Sequence, residues 1–418
     1  MFGSGVKLNS MRSAVNNPFT PGSDTIPQIW VGRREQIKDW ETVVRPRLLA
    51  GLYERGRTIL GEAGLGKSSL VRRIADSAVR QGDWVTPQLR IPVGTDPLKA
   101  VSIAVLALAD MAGLASAREQ RIQELLNRVR AIAASGVSLT IDASTGPEPY
   151  MALTDLLAEV GTAAIKQNNV VLIHIDEVQN IDSKTLSQLL IGLGDAMTNE
   201  QTVTAPGGVT FRRTLPIAVY LTGLPDFADI TGERKGATFA RRFAMTILTP
   251  LSKDDLDLAL RPFITKGWEV PDDQGGMVHI RMTEDAAEKI TELCCGEPFL
   301  FQLAGARAWY AGTDDVITVN DVLNGWASAV EEATAHVERI LARLPEQERK
   351  FIEAMASLPP DRRTLSEIAK EMGFDNATQA GTSAQRLDTI RGIIDRGKPY
   401  QFRHRAVEAY LTSSWPRV

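Results

Sequence analysis

Short apolar runs alternating with amphipathic stretches organise the first 250 residues. Thr58–Leu60, Val170–Ile175, Ile217–Thr222 and Ala244–Leu248 read as strands. The runs at 170 and 217 are nearly continuous in apolar residues, as expected of strands covered on both faces of a parallel sheet. Between them the period changes to that of helices. Arg34 to about Leu52, Ser68–Ala75, Leu98–Ala112, Ala117–Ala134, Met151–Lys166 and residues 184–198 all carry it. A further strand is expected near Trp84–Val93, and residues 136–142 alternate like one. Residues 199–214, broken by Pro206-Gly207-Gly208, read as an exposed loop or small hairpin. Strands alternating with helices specify an α/β domain with a doubly wound parallel sheet.

After Pro250 the pattern is mainly helical. Residues 251–335 read as a helical lid. Within 336–418, Val337–Ala356 reads as one long helix, and Leu365–Met372 as the first helix of a helix-turn-helix. Ser383–Ile394 is then its recognition helix, Tyr400–Arg403 an extended piece and the residues to Leu411 a final helix. This last module has the layout of a winged helix. The expected domains are a flexible tail at 1–20, an α/β domain at 21–250, the lid at 251–335 and the winged helix at 336–418.

Composition narrows the class. The chain has 418 residues, 44% hydrophobic and 23% charged, with a net charge of −4, the balance of a globular protein with a large core. No apolar stretch approaches 18 residues, which excludes a transmembrane helix from the expectation, and the N-terminus lacks the apolar region of a signal peptide. The two cysteines, Cys294 and Cys295, are adjacent, and the four histidines are scattered. Neither set suggests a disulfide framework or a metal site, and a reducing cytoplasm fits.

The candidate chemistry lies at residues 61–68, GEAGLGKS, which fit G-x-x-x-x-G-K-[ST] between an apolar run and a helix. In such a loop the backbone N–H groups of Gly61, Glu62, Ala63, Gly64, Leu65, Gly66 and the helix start at Lys67, Ser68 and Ser69 cradle phosphates. Lys67 reaches the β- and γ-phosphates, and Ser68 ligates Mg²⁺. Asp176 and Glu177 close the strand at 170–175. Their expected roles are a second Mg²⁺ ligand (Asp176) and the polariser of the attacking water (Glu177). Thr222 ends the next strand, where the crevice at the carboxyl ends of a doubly wound sheet places it beside the γ-phosphate. ATP or ADP with Mg²⁺ is the expected ligand. Arg241 and Arg242 read from spacing as a helix cap.

These segments resemble a family when read in order. Gly32-Arg33-Arg34-Glu35, the 61–68 loop, Ile175–Gln179, Leu221–Pro225, Phe239–Phe243, Leu248–Leu251 and Gly296–Phe299 are similar to bacterial ATPases of the AAA+ superfamily. The likeness lies near origin-recognition initiators and STAND signalling ATPases, and is strongest to bacterial AAA-family ATP-binding proteins with a C-terminal winged helix. The resemblance implies that Gly32 and Arg33 lie near the adenine, that Gly296 and Pro298 form a lid motif by the nucleotide, and that Arg241 is an arginine finger acting on a neighbouring subunit. It departs from the initiators in the lid, where GEPFLFQLAGAR brings no arginine before Arg307.

Residues 381–418 hold seven basic and three acidic side chains within a chain of net charge −4. Arg386 and Arg391 on the recognition helix, with Lys398 and Arg403 on the wing, are the expected contacts to duplex DNA. The expected function is an ATP-hydrolysing, DNA-associated protein that assembles as a homo-oligomer with ATP. Two alternatives stand beside it: a STAND-like ATP/ADP switch acting through a partner protein, and an ATP-dependent regulator or loader for mobile-element machinery.

Overall fold

The computed structural model describes residues 12–22, 25–116, 120–134, 149–204, 208–227, 241–271 and 276–418. The chain divides into two compact units. One comprises Arg33–Leu60 and Lys67–Ile247; the other comprises Met1–Gly32, Gly61–Gly66 and Leu248–Val418.

The first unit opens with helix α1 (Arg34–Asp39), which passes through one π-helical turn into α2 (Arg45–Leu49). Strand β1 (Gly56–Leu60) precedes helix α3 (Lys67–Arg80), followed by β2 (Trp84–Val85) and β3 (Leu89–Arg90). The expected single strand at 84–93 is thus two short ones. Helix α4 (Pro97–Met111) starts where the Asp96 carboxylate accepts from the Leu98 N–H at 2.9 Å. Then come α5 (Gln120–Ala134), α6 (Pro149–Gln167), β4 (Val171–Asp176) and α7 (Ser183–Thr198), the last capped by Asp182. The strand expected at 136–142 lies outside the described residues.

Strands β5 (Glu200–Thr204) and β6 (Thr210–Thr214) form an antiparallel hairpin, as the Pro-Gly-Gly break suggests. Strands β7 (Ile217–Gly223) and β8 (Phe243–Ile247) complete the unit. The sheet is parallel, in the order β2-β4-β7-β1-β8, with β3 beside the carboxyl end of β4. Every residue of β4 and β7 is buried, which accounts for their continuous apolar sequences. Leu126, Leu156, Leu157, Leu189 and Leu193 of α5, α6 and α7 share one core with Ile173, Val219 and Leu221.

The second unit is mainly helical, as its sequence suggests, with short strands among its helices. Helix α8 (Lys253–Thr265) leads to β9 (Trp268–Pro271) and β10 (Met277–Met282), which pair antiparallel. After α9 (Glu284–Leu293) and α10 (Pro298–Ala311), β11 (Val316–Ile317) joins β10 in parallel. These three strands add a small sheet to residues 251–335, which are mainly helical as expected. Helix α11 (Val319–Ala327) begins in a capping box made by Thr318 and Asp321. The single helix expected over 337–356 is two, α12 (Val330–Ala342) and α13 (Glu346–Ser357). Pro345 disfavours helical backbone at Leu344 and stands at the N-cap of α13.

Helices α14 (Leu365–Glu371) and α15 (Thr378–Thr389) pack with α13. A hairpin of β12 (Ile394–Asp395) and β13 (Gln401–Phe402) and a final helix, α16 (Arg405–Thr412), follow. Helix α15 thus begins and ends about five residues earlier than the recognition helix expected at 383–394. The tail expected to end at residue 20 is also corrected. From residue 12 the chain packs on this unit. Arg12 is 4% exposed, donates to Ala308 O and pairs with Asp321, and Phe19 stacks on Phe263 at 5.7 Å. Cys294 is buried, and burial pushes its thiol pKa up to about 12, which fits a structural side chain.

Candidate nucleotide site

Helix α3 begins at Lys67, directly after the glycine-rich loop, so the N–H groups of its first turn and its positive dipole end follow that loop. Gly64 and Gly66 have φ of +85° and +78°, the left-handed region that a side chain strains. Gly64 is also sterically required, since a Cβ there would lie 2.6 Å from His336 Cε1.

The carboxyl ends of β4 and β7 bring the acidic groups to the start of α3. Asp176 is 1% exposed and its carboxylate is fully engaged. Oδ2 accepts from Ser68 Oγ at 2.9 Å and from the Gln88 side-chain amide. Oδ1 accepts from Thr222 Oγ1 at 2.5 Å and from the Glu177 N–H at 2.9 Å. Burial raises the Asp176 pKa, but the Thr222 hydrogen bond, the field of His174, and the Ser68 and Glu177 hydrogen bonds outweigh it and leave a net lowering. Asp176 is therefore an anion near neutral pH.

Glu177 sits in left-handed backbone at φ 60°, and its carboxylate accepts from the Gln179 amide. Gln179 Oε1 in turn accepts from the Leu224 N–H at 3.0 Å, tying Glu177 to the end of β7. Thr222 also meets His174, whose Nε2 is 2.9 Å from Oγ1. Burial lowers the His174 pKa to about 4, against the upward pull of Asp176, so its ring is neutral at pH 7.

The residues fit Mg²⁺. A hydroxyl and a carboxylate 2.9 Å apart are hard oxygen donors of the kind Mg²⁺ takes. Among the described residues no group of three His, Cys, Asp or Glu forms a cage, and Mg²⁺ held through phosphates and waters requires none. Ser68, Asp176 and Thr222, expected from sequence as parts of one site, do meet; Glu177 joins them through its backbone. Gln88, Gln179 and His174 were not expected. His174 carried the clearest signal, as the sole polar side chain in the Val170–Ile175 run, two residues before Asp176.

The second unit holds the loop residues 61–66 together with the lid motif. The Phe299 N–H, one residue after Pro298 at the start of α10, donates to Gly64 O at 3.1 Å. The His336 ring on α12 packs against Phe299 at 4.9 Å and places Nε2 2.5 Å from Glu297 Oε2. Glu297 is fully buried, and His404 Nδ1 lies 3.1 Å from its other oxygen, without hydrogen-bond angles. Glu62, 2% exposed, forms an ion pair with Arg343, which follows α12. Gly32 adopts φ +60° against Leu251 and Asp255, and Arg33 is also left-handed.

Arg241 is exposed in a short 3₁₀ turn before β8, while Arg242 pairs with Asp195 at 2.6 Å. The helix expected ahead of them lies outside the described residues. The basic module is corrected in part. Arg391 was expected outward but is 5% exposed, and its Nε donates to Glu348 at 2.8 Å. Arg386 Nε donates to the other Glu348 oxygen at 2.6 Å. Glu348 is 3% exposed on α13, and a buried carboxylate draws such partners because its charge is costly alone. Arg403 pairs with Asp388 at 2.8 Å, and Lys398 is exposed on the β12–β13 turn.

Residues 29–203 match the family model described as AAA ATPase domain. No curated protein matches. Two solved structures share the fold along nearly the whole chain. The Walker-type ATPase PABY2304 of Pyrococcus abyssi is 16% identical, with a TM-score of 0.53, over 91% of this chain and 96% of that one. The Orc2 protein of Aeropyrum pernix, solved as ADPNP-ADP complexes, is 15% identical, with a TM-score of 0.53, over 94% of both chains. The α/β fold with its parallel sheet is that of P-loop AAA+ ATPases. No helix among the described residues is long and apolar enough to cross a membrane.

Proposed function

We propose that this protein binds ATP with Mg²⁺ at residues 61–68 and hydrolyses it. The observation that carries the reading is the Ser68–Asp176–Thr222 cluster at the strand ends, directly at the start of α3. In this account the loop N–H groups and Lys67 hold the phosphates, and Ser68 and Asp176 hold the metal. Mg²⁺ supplies charge neutralisation on the β- and γ-phosphates. Glu177 takes a proton from water as the water oxygen bonds to the γ-phosphorus and the bond to ADP breaks. Thr222 orients the Asp176 carboxylate, and Arg241 of a neighbouring copy completes the charge compensation in an ATP-bound homo-oligomer. Support comes from the family match at 29–203 and from the nucleotide complexes of the Orc2 relative. The test is calorimetric titration of the wild-type protein with ATP in Mg²⁺ and in EDTA. Tight binding that needs Mg²⁺ is expected, and no binding in either buffer would end the proposal.

A nucleotide switch is the favoured use of that chemistry. Its support is that α12 and α16 touch the phosphate loop and lid motif through Arg343–Glu62, His336–Glu297 and His404–Glu297. Loop rearrangement on nucleotide exchange must alter these buried contacts, and the C-terminal helices with them. Arg343→Ala removes one partner of buried Glu62. Because the Arg343 contact links α12 to the phosphate loop, its loss is expected to change the ADP dissociation rate by about fivefold or more, the low end of a typical coupling. Stopped-flow displacement of a fluorescent ADP that gives the wild-type rate would remove the switch.

DNA association through a winged helix at 346–412 remains a narrower proposal, because Arg386 and Arg391 are engaged with Glu348. Of the other expected contacts, Lys398 is exposed and Arg403 is partly exposed while paired with Asp388. Two phosphate contacts give a log–log salt slope of about −1.8. Anisotropy of a labelled duplex is expected to lose about one unit of slope in Lys398→Ala. Absence of salt-sensitive binding with both ADP and an ATP analogue would leave the module to protein contacts.

A further inference from the structure

We infer that His174 is a positioning residue for the metal-binding carboxylate, acting through the Thr222 hydroxyl. The inference rests on the Mg²⁺–ATP reading above and assigns a role that neither the motifs nor the family match carries. It starts from an anomaly of sequence. Strand β4 is apolar except for His174 and its terminal acid, and a polar side chain in the middle of a buried sheet costs free energy unless it is bonded. Residues two apart on a strand share a face, so His174 stands on the same face as Asp176. Thr222, on the paired strand β7, meets both.

The direction of the hydrogen bonds follows from donor counting. Ionised Asp176 only accepts, so the 2.5 Å contact uses the single hydroxyl proton of Thr222. The Thr222 oxygen, 2.9 Å from His174 Nε2, must then accept, which makes the histidine the donor and fixes its tautomer as Nε2–H. The chain runs His174 to Thr222 to Asp176 in one direction. The His174 backbone is itself held, its N–H donating to Thr86 Oγ1 at 3.2 Å. With the histidine in place, the Thr222 proton is committed to Oδ1, and Oδ2 is left turned toward Ser68, where the metal would be held. Without it, the hydroxyl is free to rotate to another acceptor, and the carboxylate loses its strongest orienting contact.

Partners of metal ligands of this kind are worth about 10- to 100-fold in metal affinity. The experiment measures binding of a fluorescent, non-hydrolysable ATP analogue as Mg²⁺ is titrated, so no turnover enters. His174→Leu is expected to raise the Mg²⁺ concentration for half-maximal binding by about tenfold, while binding in EDTA stays as in wild type. His174→Gln, whose amide keeps an N–H donor, is expected to return within about twofold of wild type. In a Thr222→Val background the His174→Leu change is expected to have no further effect, since the relay is already cut. An equal Mg²⁺ requirement in wild type and His174→Leu overturns the inference alone. So does His174→Gln behaving as His174→Leu does, since that assigns the loss to packing. A wild-type protein that binds the analogue without any Mg²⁺ dependence overturns both the inference and the metal reading. Should His174→Leu not fold, His174→Met takes its place with the same expected results.

Discussion

Glu177→Gln is expected to lower steady-state phosphate release by at least about 100-fold while ATP still binds. A positioned general base contributes about 10²- to 10⁴-fold, and the amide keeps the volume but cannot take a proton. Glu177 begins just past the end of β4, in left-handed backbone, with its carboxylate tied to Gln179 and so to Leu224. It makes none of the hydrogen bonds that hold Ser68 or Thr222, so the phosphate and metal groups should be undisturbed. The loss should therefore fall on kcat, with the dissociation constant for ATP within about threefold of wild type. Phosphate release at the wild-type rate would move the base elsewhere, and Asp176 is poorly suited to replace it because both its oxygens are occupied.

Lys67→Ala is expected to weaken ATP binding by about tenfold or more. Lys67 is the first residue of α3, half-buried, at the point where the glycine loop meets the helix. A charge-assisted hydrogen bond to a phosphate is worth about 1.5–3 kcal/mol, which corresponds to about 10- to 100-fold. The loop's backbone donors and the helix dipole remain in the variant, so some binding should persist. Calorimetry with ATP and with ADP measures it, and unchanged affinity for both would displace the nucleotide from residues 61–68.

Most of what positions the site could be read from the sequence, because the local patterns and the fold demand the same thing. Strands β4 and β7 are buried along their whole length, which favours apolar residues except where a polar group is bonded, so their runs stood out and their ends marked Asp176 and Thr222. What escaped depends on partners distant in the chain. Strand β11 has two residues and exists because β10, more than thirty positions earlier, offers it an edge. Residues 12–19 look like a tail because their anchoring uses a buried arginine, Arg12, which sequence reads as solvent-seeking. Arg391 looked available for phosphates for the same reason. Its partner, Glu348, lies 43 positions away on helix α13, and no local pattern announces a buried carboxylate. The division at Pro345 was legible and was outweighed by the helical period on either side of it.

The central claim is that the Ser68–Asp176–Thr222 cluster and Glu177 serve ATP hydrolysis. The most direct measurement mixes wild-type protein in excess with radiolabelled ATP and follows conversion to ADP and phosphate in one turnover, in Mg²⁺ and in EDTA. The account predicts conversion in Mg²⁺, none in EDTA, and bound but uncleaved ATP in Glu177→Gln. Wild-type protein that holds ATP intact in Mg²⁺ for as long as Glu177→Gln does would contradict it.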